Sequence, residues 1–434
     1  MAAPNSRPKP IKPHKLRWLR LDNAAKIYPA ARRSDWSNVY RLSVTLTREI
    51  DPEVLQKALD ITAPRFPSFA ARLRRGVFWY YLQQLEKAPP LHPEYSYPLT
   101  RMTREEVRTC AFRVILYKNR IALEVFHSLA DGTGAITFLK TLVAEYLLQK
   151  YGLEIPPVDG VLDRQEAPRE EELEDSFPKY AGALRASRRE RDAFRLNGTP
   201  EESFHHLTCL RLPVKDVLAK AREQGVSVTA YLCAAMMAAI AQIQNRQEPD
   251  PKKRKPIKIM LPVNLRNLFP SQTLRNFALY ITPELLPQLG DYTFPEICRL
   301  VYHRMGLDIT PKQMSMKIAT NMFFERFLAV KLIPLFLKNI LMKAVFHSVG
   351  ERKSCMSMSN MGAVTVPEEM KPYIERFDVV LGIQATGPYN CGVLSYGDYL
   401  NINIIRNIKE PLLESCLHKV LQEQGLPVQV QSNH

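Results

Sequence analysis

The sequence F-H-S-L-A-D-G occupies residues 126–132 of this 434-residue chain. Two apolar runs rich in β-formers fill residues 112–125 before it, and an apolar run typical of a helix follows at residues 136–148. These neighbours predict a strand pair, a short loop and a helix, which is an α/β arrangement. In such a loop His127 can present a ring nitrogen as a base, while Asp131 keeps the loop in shape. We therefore expect a functional loop at this junction.

The composition of the chain bounds its class. A length of 434 residues predicts about two domains, and 46% hydrophobic with 24% charged residues is typical of a globular protein. The 60 Lys and Arg residues against 44 Asp and Glu residues give a net charge of +16. Such a charge favours anionic partners: phosphate-bearing cofactors, anionic lipid surfaces, acidic carrier proteins or nucleic acid. Because no zinc-finger spacing or RNP-like motif is evident, we expect no nucleic-acid partner.

The cysteines and the N-terminus indicate the compartment. Seven cysteines are scattered through the chain, and none has C-x-x-C spacing. This pattern argues against a disulfide framework or a structural metal and favours a reducing, cytoplasmic location. Residues 1–17 are rich in Pro, Lys and Arg without an apolar run. We interpret them as a flexible basic tail, neither a secretory signal nor an anchor.

The remaining chain divides by composition. Residues 18–160 alternate between strand-like and helix-like runs and form a predicted N-terminal half, in which Asp51 and the proline after it predict a helix start. Residues 161–200 are dense in charge and predict a linker, and residues 201–434 form the predicted C-terminal half. Three strand-like runs near the C-terminus predict an antiparallel meander. They are residues 379–386, 392–395 and 399–405.

An apolar stretch at residues 322–346 has two interpretations. Its longest uncharged run is residues 332–337, which is too short for a spanning helix of about 20 apolar residues. The stretch is either a helix buried in the second half or lining an acyl channel, or an in-plane helix that makes peripheral contact with a membrane. The sequence favours the buried helix. Four basic residues interrupt the stretch: Arg326, Lys331, Lys338 and Lys343.

Further polar residues suit the chemistry of the 126–132 loop. Arg266 follows a strand-like run and can pair with a buried carboxylate such as Asp131. Ser357, Ser359 and Asn360 stand close together before a glycine, and their hydroxyl and amide groups are donors that an oxyanion requires. These residues predict one site assembled from distant parts of the chain.

Taken together, the motifs resemble the superfamily that contains chloramphenicol acetyltransferase, plant-type BAHD acyltransferases, alcohol and polyketide-associated acyltransferases, and condensation domains. Its shared element is HHxxxDG, and here His127 stands at the second histidine, with Phe126 replacing the first. Other elements match in order: R-F-P-S-F at 65–69, P-V-N-L-R at 262–266 with N-F at 276–277 after it, and S-N-M-G at 359–362. The BAHD motif DFGWG is absent, so the resemblance gives no basis for a phenolic substrate.

The resemblance implies a fold and a reaction. Two similar sandwich domains of α/β (α+β) type would face each other across a tunnel, with His127 near its middle. His127 would be the general base of an acyltransferase that moves an acyl group from a CoA thioester to a hydroxyl or amine acceptor. Asp131, Gly132 and Arg266 would support the loop, Gly132 by allowing its turn. Ser359 or Asn360, with Ser357 nearby, would bind the oxyanion or the substrate.

The resemblance also implies the partners and leaves alternatives open. Acyl-CoA would be a co-substrate, with no permanently bound cofactor and no metal, and the basic run at residues 252–255 is a candidate for contacting its phosphates. The protein is expected to be a monomer acting on a small-molecule acceptor. One alternative is a condensation-type enzyme that uses an acyl carrier protein as donor. Another is a non-catalytic binding protein of the same fold.

Overall fold

The computed structural model describes most of the chain. The predicted basic tail lies outside the described residues except for Arg17. The described ranges are residues 17–31, 38–185, 190–201, 203–323, 332–346, 352–383 and 387–433.

The α-helices and β-strands of the described ranges alternate along the chain. The helices are α1 (Ile27–Ala31), α2 (Pro52–Thr62), α3 (Arg104–Thr109), α4 (Gly132–Tyr151), α5 (Glu170–Leu173), α6 (Val214–Glu223), α7 (Val228–Gln247), α8 (Phe294–Asp308), α9 (Pro311–Met322), α10 (Leu335–Phe346) and α11 (Leu412–Glu423). The strands are β1 (Trp18–Arg20), β2 (Val39–Leu46), β3 (Ala71–Arg75), β4 (Tyr80–Gln84), β5 (His92–Pro93), β6 (Phe112–Tyr117), β7 (Arg120–Phe126), β8 (His206–Pro213), β9 (Ile257–Asn264), β10 (Ala278–Ile281), β11 (Glu284–Leu285), β12 (Met356–Ala363), β13 (Ile374–Val380), β14 (Tyr389–Tyr396), β15 (Tyr399–Arg406) and β16 (Gln429–Ser432).

The N-terminal half is built on a five-stranded sheet with the order β13-β2-β7-β6-β5. Strands β6 and β7 form the predicted antiparallel pair, and β2 lies antiparallel to β7 on its other side. Helix α4 packs on this sheet and against α2. Asp51 caps α2 as predicted, because its carboxylate accepts hydrogen bonds from the backbone N–H groups of Glu53 and Val54.

The C-terminal half is built on a larger sheet with the order β10-β9-β12-β14-β15-β8-β16. Strand β12 is an inner strand of this sheet and runs parallel to both of its neighbours, β9 and β14. Helix α7 is the buried helix of this half and packs against α8, α11 and β9. Each half thus combines one main sheet with flanking helices, as the predicted two-domain α/β architecture requires.

The strand predicted at residues 379–386 is misplaced, because β13 ends at Val380, residues 381–383 are not in a strand, and residues 384–386 lie outside the described residues. Strand β13 also belongs to the other sheet. Strands β14 and β15 pair antiparallel, as the predicted meander requires, but β13 pairs antiparallel with β2 of the N-terminal sheet. The predicted meander is therefore wrong at its first strand. The predicted C-terminal half, residues 201–434, is also wrong at β13, because this strand belongs to the sheet of the N-terminal half. Local alternation predicts a strand but does not identify its partner. Strand β13 also packs closely on β14, since a Cβ at Gly392 would lie 2.3 Å from the carbonyl oxygen of Val379.

The charged segment at residues 161–200 crosses between the two halves, contains the short helix α5 and packs on both halves through its described residues. Glu172 in α5 forms a two-pronged ion pair with Arg65, at 2.6 and 2.8 Å. Phe177 and Phe194 are buried in the core of the C-terminal half. The many charges of this segment predict exposure, but apolar side chains between them fix it to the surface of the fold.

Two apolar segments bear on membrane contact. Among the described residues, α7 is the one helix long and apolar enough to cross a membrane, and 67% of its apolar window is buried inside the protein. The stretch at 322–346 contains the end of α9 and all of α10, while residues 324–331 lie outside the described residues. Leu335 of α10 is buried, but Phe336 and Ile340 are exposed. The buried interpretation is therefore wrong for the outer face of α10.

Candidate active site

His127 lies in the loop that joins β7 to α4, and backbone contacts on both sides fix this loop. The backbone N–H of His127 donates to the carbonyl oxygen of Asn38 at 2.9 Å. The hydroxyl of Ser128 donates to the carbonyl oxygen of Ala25 at 3.1 Å. The hydroxyl of Tyr40, from β2, lies 3.0 Å from the carbonyl oxygen of Asp131. The loop thus rests on β2 and on the chain segment before α1.

Two tyrosines surround the imidazole. The ring of Tyr28, on α1, stacks on the His127 ring with centroids 4.5 Å apart and planes 16° apart. The ring of Tyr40 lies against it at a tilt, with centroids 4.9 Å apart. These contacts hold the imidazole plane and leave it only partly exposed. A ring held in this way can direct one nitrogen at a bound group.

Asn276 contacts Nδ1 of the His127 ring. Oδ1 of Asn276 lies 3.2 Å from Nδ1 of His127, and Nδ2 of Asn276 donates to Oδ2 of Asp22 at 3.2 Å. Because an ionised carboxylate only accepts hydrogen bonds, Asp22 requires the amide nitrogen on its side. Oδ1 of Asn276 then faces His127, so Nδ1 carries the hydrogen and Nε2 keeps its lone pair. The arrangement prepares Nε2 as a base.

Burial shifts the pKa values of His127 and Asp22, the two groups at the ends of this hydrogen-bond chain. The pKa of His127 lies below its usual range because burial disfavours the charged imidazolium. Burial raises the pKa of Asp22 to about 6, although the guanidinium of Arg275, 3.6 Å away, opposes this shift. At neutral pH the imidazole is therefore neutral and the Asp22 carboxylate is ionised, which are the states that the hydrogen-bond chain requires.

Asp131 connects the loop to the C-terminal half. One carboxylate oxygen caps α4 by accepting from the N–H groups of Thr133 and Gly134 at 3.1 and 3.3 Å. The other accepts from Nη1 of Arg266 at 2.7 Å and from the backbone N–H of Phe277 at 2.8 Å. With four hydrogen bonds and 8% side-chain exposure, Asp131 is directed away from solvent into the joint between the halves.

Arg266 is fully engaged in the same joint. Its guanidinium donates to the carbonyl oxygens of Thr273 and Arg275 as well as to Asp131. These carbonyls belong to the segment that leads directly to Asn276. The ion pair between Asp131 and Arg266 thus fixes the His127 loop and the Asn276 segment relative to each other.

The glycines of the loop have different roles from the predicted one. Gly132 begins α4 with a φ outside the left-handed region, so the expectation that it allows the turn is wrong. A Cβ at Gly132 would lie 3.1 Å from the flexible end of the Met361 side chain. Gly134 carries the steric requirement instead, because a Cβ there would lie 2.0 Å from the carbonyl oxygen of Leu274. Phe126 is fully buried in the N-terminal core.

The three oxyanion candidates lie on β12, but on different faces. Asn360 donates from Nδ2 to the hydroxyl of Thr229 at 3.0 Å and so faces α7. Because side chains alternate along a strand, Ser357 and Ser359 face the opposite side.

Ser359 pairs in register with Gly392, and a Cβ at Gly392 would face the carbonyl oxygen of Val379 in β13. Ser359 therefore lies on the face toward the N-terminal half, and Asn360 does not. Met361, beyond Asn360 where the register of β12 shifts, packs beside Gly132.

Ser357 lies deeper in the sheet. It is buried, and its hydroxyl is 3.5 Å from the sulfur of Met260 on the neighbouring strand. Its backbone N–H donates to Oδ1 of Asn390 at 2.9 Å. The structure thus separates Ser357 from the more exposed Ser359, and these contacts place it in the packing of β12 against β9 and β14.

Comparisons with known proteins identify the fold. No protein-family model matches the sequence, and no curated protein matches it significantly. Among solved structures, the first condensation domain of the calcium-dependent antibiotic synthetase aligns with a TM-score of 0.60 at 12% identity, covering 94% of this chain and 96% of that chain. Trichothecene 15-O-acetyltransferase from Fusarium sporotrichioides aligns with a TM-score of 0.58 at 13% identity, covering 94% of each chain.

A third solved structure has the same fold. Wax ester synthase/diacylglycerol acyltransferase from Marinobacter aquaeolei VT8 aligns with a TM-score of 0.56 at 13% identity, covering 94% of this chain and all of that one. The chain has the condensation-domain-like acyltransferase fold. At these identities the likeness concerns the fold, and it extends over nearly the whole chain.

Within the condensation-domain-like fold, the basic run at residues 252–255 does not join the candidate site. It follows the C-terminal end of α7, whereas Asn360 contacts Thr229 at the other end. A helix of 20 residues is about 30 Å long. That this run contacts the phosphates of acyl-CoA stays a prediction, since the geometry of this helix does not test it. Its residues lie on the surface at the far end of the helix.

Four residues of the site have no assigned role in the sequence analysis: Asp22, Tyr28, Tyr40 and Asn276. Asn276 stands ten residues after Arg266, in a segment that the resemblance includes, so its position could have indicated a polar role. Asp22 is an isolated carboxylate before α1, and no spacing connects it with His127. Only the fold brings these groups together.

Proposed function

We propose that this protein is an acyltransferase that moves an acyl group from a thioester to a hydroxyl or amine acceptor, with His127 as the general base. The observation that carries the proposal is the hydrogen-bond chain from Asp22 through Asn276 to Nδ1 of His127. This chain leaves the lone pair of Nε2 available in a neutral imidazole. The shared fold with acetyltransferases and condensation domains supports the same reaction class.

The proposed reaction proceeds in two steps. Nε2 of His127 takes the proton from the acceptor O–H or N–H as that atom attacks the thioester carbonyl carbon, forming the new C–O or C–N bond. The hydroxyl of Ser359 donates to the resulting oxyanion. The C–S bond then breaks, and the imidazolium returns its proton to the thiolate. Asp131 and Arg266 take no part in proton transfer and hold the loop in place.

Acyl-CoA is the proposed donor. The net charge of +16 favours a donor that carries phosphates. A starter condensation domain of rhizomide synthetase, similar in fold with a TM-score of 0.58, was solved in complex with C8-CoA and Leu-SNAC. An acyl carrier protein thioester is the second candidate donor, because condensation domains share this fold. Donor and acceptor would reach His127 through a tunnel between the two halves.

The proposal also covers the acceptor, the oligomeric state and the cellular location. The acceptor is a small molecule, and the protein acts as a monomer because both halves of the site come from one chain. All seven cysteines are free thiols, which supports a reducing, cytoplasmic location. Cys355 is buried near β12, and burial raises the pKa of its thiol to about 12, which supports packing and not nucleophilic attack.

The experiment that tests the proposal measures thiol release from acyl-CoA in the presence of alcohols and amines. We expect His127→Ala to lower the rate by about 10²- to 10⁴-fold, the usual contribution of a general base. His418→Ala, at a partly exposed histidine on α11, is the matched control and should keep the wild-type rate. Equal rates for wild type and His127→Ala would reject the role of His127 and favour a non-catalytic binding protein. Acyl carrier protein thioesters, assayed in parallel, distinguish the two donors.

A further inference from the structure

Helix α10 packs on the segment between β3 and β4 through one face. The backbone N–H of Leu335 donates to the carbonyl oxygen of Val77 at 3.0 Å. Nζ of Lys338 lies 3.5 Å from the centre of the Trp79 ring and donates to the carbonyl oxygen of Phe78. Leu335 and Lys338 are both 4% exposed, so this face of α10 is its inner face.

The outer surface at this place is apolar. Phe336, Leu337 and Ile340 are 55%, 46% and 65% exposed, and their spacing puts them on one side of α10. Leu332 before the helix and the neighbouring Val77 and Phe78 are exposed as well. We name the six residues the apolar ridge: Val77, Phe78, Leu332, Phe336, Leu337 and Ile340. A cluster of large exposed apolar side chains is characteristic of a docking surface.

The sequence around the apolar ridge carries charges of one sign. Arg74 and Arg75, at the end of β3 just before Val77, are partly exposed and exposed, respectively. Nζ of Lys26 lies 5.6 Å from the centre of the Trp79 ring. Residues 71–85 contain no Asp or Glu. An apolar surface bordered by cations matches an anionic lipid surface, where apolar side chains enter the interface and basic side chains meet the headgroups. A second copy of this chain would bring like charges together, which disfavours self-association through this surface.

The apolar ridge lies close to the candidate active site. Helix α10 packs against α1, and Tyr28 on α1 stacks on the His127 ring. Only one short helix therefore separates the inner side of α10 from the imidazole. A protein resting on a bilayer through this surface would hold the site next to apolar molecules dissolved in the membrane.

We propose that the apolar ridge docks the protein on an anionic lipid bilayer. Phe336, Leu337 and Ile340 enter the interfacial region with α10 lying in the membrane plane, and Arg74 and Arg75 contact the phosphates. The docking needs no catalysis, so it stands or falls independently of the proposed acyl transfer.

The test is flotation of the full chain with two kinds of vesicle: phosphatidylcholine alone, and phosphatidylcholine with about one third phosphatidylglycerol. We expect flotation with the anionic vesicles, reduced by high salt. The double variant Phe336→Ser and Ile340→Ser should lower vesicle partitioning at least about tenfold, since two large apolar side chains leave the interface. The double variant Leu289→Ser and Leu307→Ser, at residues 76% and 67% exposed elsewhere, should float like wild type.

Three outcomes would overturn the proposal. The wild-type protein fails to float with either vesicle, or the two double variants lose flotation equally. Alternatively, the Phe336→Ser and Ile340→Ser variant floats normally but loses a self-association seen by sedimentation, which would make this surface an interface between copies. Circular dichroism and thermal melting of each variant show that lost flotation does not come from unfolding.

Discussion

The carboxylate of Asp22 fixes the amide orientation of Asn276, whose Nδ2 lies 3.2 Å from Oδ2 of Asp22. Both side chains are buried, with 0% and 2% exposure, so water does not compete for these groups. The orientation determines which nitrogen of His127 carries the hydrogen. A residue that never touches the reacting atoms thus controls the base.

Replacing Asn276 should lower turnover without a matching loss of substrate binding. Asn276→Leu keeps the volume but removes the acceptor for Nδ1, so the imidazole loses its preferred tautomer, and we expect kcat to fall about 10²-fold with KM little changed. Asp22→Asn allows either amide orientation and should lower kcat less. The control is Asn197→Leu, at an exposed amide far from the loop. Steady-state kinetics give the answer, and a change in KM alone would show that Asn276 binds substrate instead.

The pH dependence of the rate should report His127. Because burial lowers its pKa, the acidic limb of kcat/KM should have its midpoint below pH 6.5, with a plateau by neutral pH. Asp22 has a pKa of about 6 and titrates in the same pH range, so its proton contributes to this limb, and Asp22→Asn should both move the limb to lower pH and make it less steep. An unmoved limb would show that the Asp22 charge does not act on the base.

The same carboxyl gives a separate signature in stability. The pKa of Asp22 in the folded protein is about 6, above its ordinary value of 3.8, so the folded state binds this proton more tightly than the unfolded state. The stability from this group is present below about pH 4 and is lost as pH rises through about 6. Relative to Asp22→Asn, the wild-type protein should therefore lose stability from pH 4 to 6 and change little above. Denaturant titrations at several pH values measure the difference.

The parts of the fold that follow from local chemistry could be predicted from the sequence. The cap at Asp51, the helix after the His127 loop and the hairpin of β14 and β15 each depend on neighbouring residues. The pairing of β13 with β2 and the contact between Asp22 and Asn276 join residues hundreds of positions apart. Such contacts depend on the assembled tertiary structure, and no local spacing encodes them.

In the candidate site, too, the residues close together in sequence could be predicted and those brought together by the fold could not. His127 and Asp131 could be proposed from one motif, since four residues and a predicted junction bring them together. The assignment of Asn360 as an oxyanion donor depended on adjacency to Ser359, but adjacent residues of a strand face opposite sides. The sequence favoured the buried interpretation of α10 over the in-plane one because apolar residues all round a helix are typical of a buried helix.

Breaking the ion pair between Asp131 and Arg266 should lower both stability and activity. Arg266→Ala leaves a mostly buried carboxylate without its strongest partner, and loss of one member of such a pair costs about 3–5 kcal/mol. Asp131→Asn should also lower stability by several kcal/mol, because its amide NH2 must face donors on one side, either Arg266 and the N–H of Phe277 or the N–H groups that begin α4. Urea denaturation measures the free energy of unfolding. A variant that is fully stable but inactive would show that the residue contacts substrate directly.

Replacement by alanine should destabilise the protein much more at Gly134 than at Gly132, two glycines in the first turn of α4. Gly134→Ala places a Cβ 2.0 Å from the carbonyl oxygen of Leu274, and backbone must move to relieve this contact, so we expect a loss of more than about 2 kcal/mol. Gly132→Ala meets only the mobile end of Met361 at 3.1 Å and should change the free energy of unfolding by less than about 1 kcal/mol. A larger effect at Gly132 would contradict the described packing of β12 on the loop.

Ser359 and Asn360 provide the sharpest separation of chemistry from structure on β12. If the hydroxyl of Ser359 donates to the oxyanion, Ser359→Ala should lower kcat by about 10²- to 10³-fold with little effect on unfolding. Asn360→Ala removes the hydrogen bond to Thr229 and should cost about 1 kcal/mol of stability while keeping most of the turnover. Kinetics and thermal melting of both variants show which face of β12, that of Ser359 or that of Asn360, binds the oxyanion. Loss of turnover in Asn360→Ala alone would reverse the assignment and place the oxyanion on the α7 side of the strand.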